Sequence, residues 1–216
     1  VIPVLIVPLL TGPQLLYRML DSIDRPIARL VIIDNGNALN TSTGWPVEHV
    51  QRTSVIKMPA NLGVAGSWNL GIKATPFAPW WLIANHDVTF KPGALGQFEQ
   101  MAATDTLVLN GGPQPWCAFA IGEDVIRAVG LFDEALHPAY FEDDDYLRRA
   151  TPDVPLVRLP AGLIHHDNSS TLASGYAAQN ARSYGSNAAY FGAKVADGDF
   201  SAGAWSLDRR RANSWD

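Results

Sequence analysis

The feature that most constrains the fold is a repeated one: a short apolar run that ends abruptly at a polar residue. Val4-Leu5-Ile6-Val7, Leu30-Val31-Ile32-Ile33 and Trp81-Leu82-Ile83-Ala84 have the length and residue content of core strands, and Ser54 to Lys57 and Thr106 to Leu109 read the same way. Helical stretches of about Pro13 to Ile23, Val64 to Lys73 and Pro92 to Ala103 alternate with them, with Pro13 and Pro92 suited to first-turn positions. Continuous apolar strands separated by helices form βαβ units. The chain is therefore expected to be an α/β protein, with a mostly parallel central sheet flanked by helices. The second run ends in Asp34-Asn35-Gly36 and the third in Asn85-His86-Asp87. The carboxyl end of a buried strand is where open α/β sheets place ligand chemistry.

A chain of 216 residues, 47% hydrophobic and 17% charged, is ample for one core. The expected division is residues 1–172, carrying the site, and residues 173–216, a C-terminal helical extension packed on the same domain. In that extension Tyr176, Tyr184, Tyr190 and Phe191 are the expected packing points, and the Asp208 to Asp216 tail is polar. The net charge of −5 argues against a nucleic-acid partner or an anionic membrane surface. The run from Val1 to Leu10 is too short for a membrane span, holds Pro3 and Pro8, and lacks the basic start of a signal peptide. The single Cys117 excludes an internal disulfide framework and fits a reducing compartment, so a cytoplasmic location is expected. Cys117 itself reads as a buried small hydrophobe.

Gly130-Leu131-Phe132-Asp133-Glu134 is followed by Tyr140-Phe141-Glu142-Asp143-Asp144-Asp145-Tyr146. Four consecutive acids framed by aromatic anchors are fixed on a packed scaffold. Crowded carboxylates repel, so at least one needs a raised pKa or a nearby cation. That is the setting of a general base or a metal neighbour. The same run suits a helix start, with Arg148-Arg149 near the opposite end of the dipole. Upstream, Asn85 and Asp87, two apart, offer hard oxygen ligands to Mg²⁺ or Mn²⁺, or else an Asx turn that closes the strand.

Taken in order, these segments resemble the glycosyltransferase family 2 group of the GT-A fold over roughly residues 3 to 194. Val4 to Pro8 is similar to its first strand, and Leu30 to Gly36 to its second strand with a nucleotide-binding Asp. Asn61-Leu62-Gly63-Val64-Ala65-Gly66-Ser67-Trp68-Asn69-Leu70-Gly71 is similar to its helix start beside the nucleotide. Asn85-His86-Asp87 stands at its metal motif, the Glu142-Asp143 element at its catalytic base, and His165-His166 at its late metal-ligand His. Asn187 to Phe191 with Lys194 echoes its C-terminal helix. The resemblance implies an inverting, metal-dependent transfer of a sugar from a nucleoside-diphosphate sugar to the hydroxyl of a glycan, lipid-linked or protein acceptor. Residues 1–172 would be the GT-A nucleotide-sugar domain. The alternative is a non-catalytic sugar-nucleotide or glycan-binding module on the same fold.

On this reading Pro8, Asp34, Asn61, Gly63, Asn69 and Asn85 contact the nucleotide. The Asp34 carboxylate can accept N3–H of uracil or thymine, which favours UDP- or dTDP-sugars over GDP-sugars, although guanine N1–H is a comparable donor. Glycines at a loop-to-helix junction let the free N–H groups of the helix start come close to a nucleotide. Asp87 is the expected direct metal ligand. Consecutive strand residues face opposite ways, so only one of His165 and His166 can complete the site, with His165 preferred. An imidazole beside carboxylate oxygens suits Mn²⁺ better than Mg²⁺. Asp143 matches the base and Glu142 binds the acceptor or tunes Asp143. Trp116, near Gly111-Gly112, either stacks on an acceptor sugar or packs in the core.

Overall fold

The computed structural model describes residues 1–40, 47–151, 153–167 and 176–200. At its centre is β1 (Ile2–Leu9), paired in parallel with β2 (Ile27–Asp34) on one side and with β4 (Trp80–Ala84) on the other. β2 pairs in parallel with β3 (Val50–Lys57). Beyond β4 the sheet continues through β7 (Ala118–Gly122), β6 (Leu107–Leu109) and β8 (Leu156–Arg158), giving the order β3-β2-β1-β4-β7-β6-β8. β7 is antiparallel to both its neighbours, so it runs against the rest of an otherwise parallel sheet.

Side chains of β1 alternate between two cores, as the strand period requires. Leu5, Val7 and Leu9 enter one core with Leu16, Met19 and Leu20 of α1 (Pro13–Asp21) and Leu95 and Phe98 of α3 (Ala94–Met101). Val4 and Ile6 enter the other with Trp68 and Ile72 of α2 (Gly63–Ala74), Ile126 of α4 (Glu123–Val129) and Tyr146 of α5 (Glu142–Ala150). α2 lies close on the sheet because Gly71 has no side chain. A Cβ there would fall 2.4 Å from Ile6 Cγ2.

The expected strands and helices are present with shifted ends. Pro13 opens α1, but Pro92 lies ahead of the cap residue Gly93 rather than inside α3. β7 and α4 were not anticipated. Ala118-Phe119-Ala120-Ile121-Gly122 has weak strand propensity, and it is held as a strand by burial between β4 and β6. A separate two-stranded ribbon pairs β5 (Val88–Phe90) with β9 (Ile164–His166). The C-terminal helix α6 spans Ala177–Asp197. The 172/173 boundary, Ser169 to Thr171 and the Asp208 to Asp216 tail lie outside the described residues. Among the described residues no helix is long and apolar enough to cross a membrane.

α2 is also tied to the loop after α4. The Asn69 Nδ2 group donates to Phe132 O (2.9 Å) and Glu134 Oε1 (2.8 Å), and its Oδ1 accepts from Phe132 N (2.9 Å). Asn69 is fully buried, so truncating it leaves both backbone groups of Phe132 without their partner. Asn69→Ala is expected to lower stability by roughly 1–3 kcal/mol. Urea denaturation should show this as a lower midpoint at unchanged slope.

Candidate active site

The rim at the carboxyl ends of β1, β2 and β4 is one connected structure. Asp34 closes β2 and is fully buried; its Oδ1 accepts from Ala38 N (2.8 Å) and its Oδ2 from Leu39 N (3.1 Å). Both oxygens therefore hold the turn that follows the strand. Asn35 then bridges to α2, donating to Ser67 Oγ (2.8 Å) and accepting from Leu62 N (3.0 Å). Asn61 Oδ1 accepts from Gly63 N (2.9 Å) at the first residue of α2. Gly63 has φ +74°, and a Cβ there would meet Pro138 O at 2.7 Å. The α2 start consequently sits directly on the loop that leads into α5, and Val64 N donates to Pro138 O (2.7 Å). Pro8, next to last in β1, is half-buried beside this rim. Asn69 lies farther along α2, and its amide faces Phe132 and Glu134 instead.

The second part of the rim begins where β4 ends. Asn85 N donates to Cys117 O (2.8 Å), which extends the pairing of β4 with β7 by one residue. Asp87 is buried, and its Oδ1 lies 3.1 Å from His166 Nε2. The same imidazole nitrogen is 3.4 Å from Asn85 Nδ2. The β5–β9 register explains the choice of histidine. Val88 pairs with His166 and Thr89 with His165, and Val88 is fully buried. Paired residues share a face, so His166 turns inward. His165 has a side chain 63% exposed and pairs with Asp167 at 3.1 Å. The pair thus divides opposite to the sequence preference, with His166 beside Asp87. His166 Nδ1 finds no hydrogen-bond partner among the described residues. His86 is buried too; burial holds its pKa below the usual range, against the pull of Asp87. Cys117 is buried, and its thiol is pushed up to about 11 by burial.

The third part is the acid segment. Tyr140 (φ 81°) and Phe141 (φ 73°) both adopt the left-handed region just before α5. Two consecutive aromatic residues in that conformation are strained, and the surrounding contacts must hold them. Glu142 is only 7% exposed and its Oε2 has no hydrogen-bond partner among the described residues. Burial, then the neighbouring Asp143, pushes its pKa up to about 8. Asp143 is half-buried, and its pKa is raised by burial and by Asp144. Its Oδ1 accepts from Asp144 N (2.9 Å). Asp145 behaves differently. It is fully buried and ion-paired to Arg149 Nε (2.8 Å) and Lys194 Nζ (2.5 Å). The two remedies for crowded carboxylates are both used, and they divide the run: raised pKa values at its start, cations at its end.

The helix that carries Lys194 was expected; the ion pairs of Lys194 are what sequence reasoning missed. Lys194 Nζ also pairs with Asp133 Oδ2 (2.7 Å), and Tyr190 OH donates to the same oxygen (3.0 Å). Asn187 Nδ2 donates to Ala139 O (2.8 Å). The spacing 187, 190, 194 puts these three on one helix face, and that polar stripe was the available signal. Tyr184, an expected packing point, is 52% exposed, although its ring meets Tyr140 (5.4 Å) and Phe141 (5.1 Å). Trp116 resolves toward the core. It is 8% exposed and packs among Trp68, Phe119, Phe132 and Tyr146.

Among the described residues, no three His, Cys, Asp or Glu side chains are grouped to hold a metal ion by themselves. The donor set at β4 is a carboxylate, an imidazole with its second nitrogen unpartnered, and an amide. That set fits a divalent cation only if further ligands come from what binds there.

No model of a known protein family matches the chain. A galactofuranosyl glycosyltransferase of Leishmania donovani is 24% identical across 98% of the chain, and the chain spans 66% of that relative, just under two thirds of its length. The S. aureus TarS 1–349 structure in complex with UDP superposes with a TM-score of 0.55 at 16% identity, covering 74% of this chain and 59% of TarS 1–349. The structure of GalNAc-T7 with UDP, GalNAc and Mn²⁺ gives a TM-score of 0.57 at 12% identity, covering 76% of this chain and 43% of GalNAc-T7. The seven-stranded sheet with its flanking helices is the GT-A fold, and the chain is glycosyltransferase-like.

Proposed function

We propose that the chain transfers a sugar from a nucleoside-diphosphate sugar to an acceptor hydroxyl, with inversion at the anomeric carbon. The observation that carries the reading is the presence of two pairs: the Asp87–His166 pair at the end of β4, and the Glu142-Asp143 pair at the start of α5 with no cation paired to it among the described residues. A module that only binds a nucleotide sugar has no use for the second pair. Pro8, Asp34, Asn61, Gly63 and Asn85 line the proposed nucleotide site. Asp34 is fully buried and holds its turn through two N–H bonds; a carboxylate has about four acceptor positions, so it could take N3–H of a uracil once the turn at Ala38 and Leu39 opens. Asn69 and Trp116 drop out of the contact set, since one is bonded to the Phe132 loop and the other is in the core.

Asp87 and His166 would hold the cation, with Mn²⁺ favoured, and such a cation stabilises a leaving diphosphate. Asp143 would take the proton of the acceptor hydroxyl as the new C–O bond forms and the bond to the diphosphate breaks. Glu142 lies beside it, uncharged at neutral pH on the strength of its raised pKa, and can donate a hydrogen bond to the acceptor. UDP-galactofuranose is the first donor to try, on the likeness to the Leishmania protein and to the UDP-bound neighbours.

Titration calorimetry of UDP with and without Mn²⁺ tests the cation site. Asp87→Ala should remove the Mn²⁺-dependent part of the affinity, and an unchanged metal dependence would sink the assignment. Single-turnover transfer tests the base. Asp143→Asn should bind donor normally and lower the chemical step by roughly 10²–10⁴-fold. Transfer at the wild-type rate would move the base elsewhere, and product with retained configuration by NMR coupling would exclude the one-step displacement.

Glu142 makes a prediction for stability. Its folded pKa of about 8 lies above the 4.5 of a glutamate in the open chain, so the folded state holds the proton longer. Stability from this group is then fully present below the unfolded pKa and falls as pH rises toward 8. Glu142→Gln should therefore raise Tm at pH 8 while leaving it nearly unchanged at pH 4. Equal shifts at both pH values would contradict the assignment.

A further inference from the structure

We infer that Lys194, on the C-terminal helix, is a positioning residue for the catalytic carboxylate, acting through the shared ion pair it makes with Asp133 and Asp145. The inference rests on the proposed role of Asp143 and goes beyond it by making α6 part of the active site. Lys194 is buried, its Nζ lies 2.7 Å from Asp133 Oδ2 and 2.5 Å from Asp145 Oδ1, and both carboxylates are buried as well. Asp133 sits in the loop after α4, and Asp145 is in the first turn of α5, two residues after Asp143. One ammonium therefore fastens together the loop and the helix turn that carries the base. Burial alone would depress the lysine's pKa, and the bonds to Asp133 and Asp145 reverse that.

The same helix face controls the turn on the other side of Asp143. Asn187 donates to Ala139 O, and Tyr190 adds its hydroxyl to Asp133. Tyr140 and Phe141, held at positive φ, lie between these ties. A strained turn next to a helix start relaxes unless both ends are fixed, and Asn187 and Lys194 fix one end each. Asp145 also keeps its own partner, Arg149, so its charge does not depend on Lys194 alone. What Lys194 adds is the link to α6 and to Asp133. Losing that link should move Asp143 without touching the donor rim at β1, β2 and β4.

The test uses the full chain. Lys194→Met should lower kcat on the order of 10- to 100-fold, the range that a small misplacement of a reacting group produces. The donor KM should stay near wild type, because what is lost is the alignment of Asp143, which acts on the acceptor hydroxyl in the transition state and not in donor binding. Lys194→Arg should recover most of the rate. Two buried carboxylates beside a methionine endanger folding, so Lys194→Met is also combined with Asp133→Asn, which removes the orphaned charge. In that double variant stability should return and kcat stay low. Full recovery of kcat there would reduce Lys194 to a folding element and overturn the inference, as would an unchanged kcat in Lys194→Met. Amide exchange is read on the same proteins. Residues 141–147 should exchange faster in Lys194→Met while residues 80–84 do not, and uniform loosening would overturn the inference. If wild-type protein turns over no donor at all, the proposed function fails, and the exchange comparison still decides whether Lys194 pins this segment.

Discussion

Buried negative charge is the constraint on which the rest of this structure depends. Asp34, Asp87, Asp133, Glu142 and Asp145 are all buried. An ionised carboxylate taken out of water is costly unless it is paired or hydrogen-bonded, and each of these meets that demand differently. Asp34 uses backbone N–H groups, Asp87 an imidazole, Asp133 and Asp145 a shared lysine, and Glu142 a retained proton. Each solution fixes a different loop in place. The turn after β2 is held by Asp34, the β5–β9 ribbon is drawn to β4 through Asp87 and His166, and α6 is drawn to α5 through Lys194.

The Lys194 arrangement explains why the C-terminal helix reads weakly in the sequence. A surface helix usually turns an apolar stripe to the core. Here α6 buries Ser183, Asn187 and Lys194 and leaves Tyr184 half exposed, so the usual hydrophobic period is inverted. The burial of these polar groups makes sense only against Asp133, Ala139 and Asp145, which lie far off in sequence. A one-dimensional reading sees a lysine among small residues. Three dimensions supply its two partners.

Other features divide along the same line. The central strands and the polar triplets that end them were legible, because burial on both faces of a parallel sheet leaves a run of apolar residues that needs no context. The acid run was legible as a crowded site, and Cys117 as a buried hydrophobe, since each follows from local composition. β7 was not, because its alanines and glycine carry little strand preference and only the flanking strands β4 and β6 make it one. The choice between His165 and His166 was not legible either. Alternation says that one of them faces in, but the register with Val88 decides which, and register is a property of two strands. Trp116 stayed open for a related reason: stacking on a sugar and packing in an aromatic cluster ask the same of an indole ring.

The distribution of charge over the rim also bears on what kind of ligand it accepts. A diphosphate, the proposed ligand, is doubly anionic or more, and the acidic groups proposed to face it are Asp34, Asp87 and Asp143, with Glu142 holding its proton. Of the basic residues near the acid segment, Arg149 and Lys194 are already engaged with Asp145, Asp133 and the loop after α4, and Arg148 lies over the Phe191 ring. Coulomb repulsion between a phosphate and a carboxylate at contact distance is large in a site that excludes water. The first N–H groups of α2 are already bonded to Asn61 and Pro138, so on the proposed reading the positive charge an anionic ligand needs falls to a cation at Asp87 and His166. The carboxylate that would otherwise repel the ligand would then be the reason a cation is held. On that reading Asp143, half-buried at the start of α5, is the group left to accept a proton.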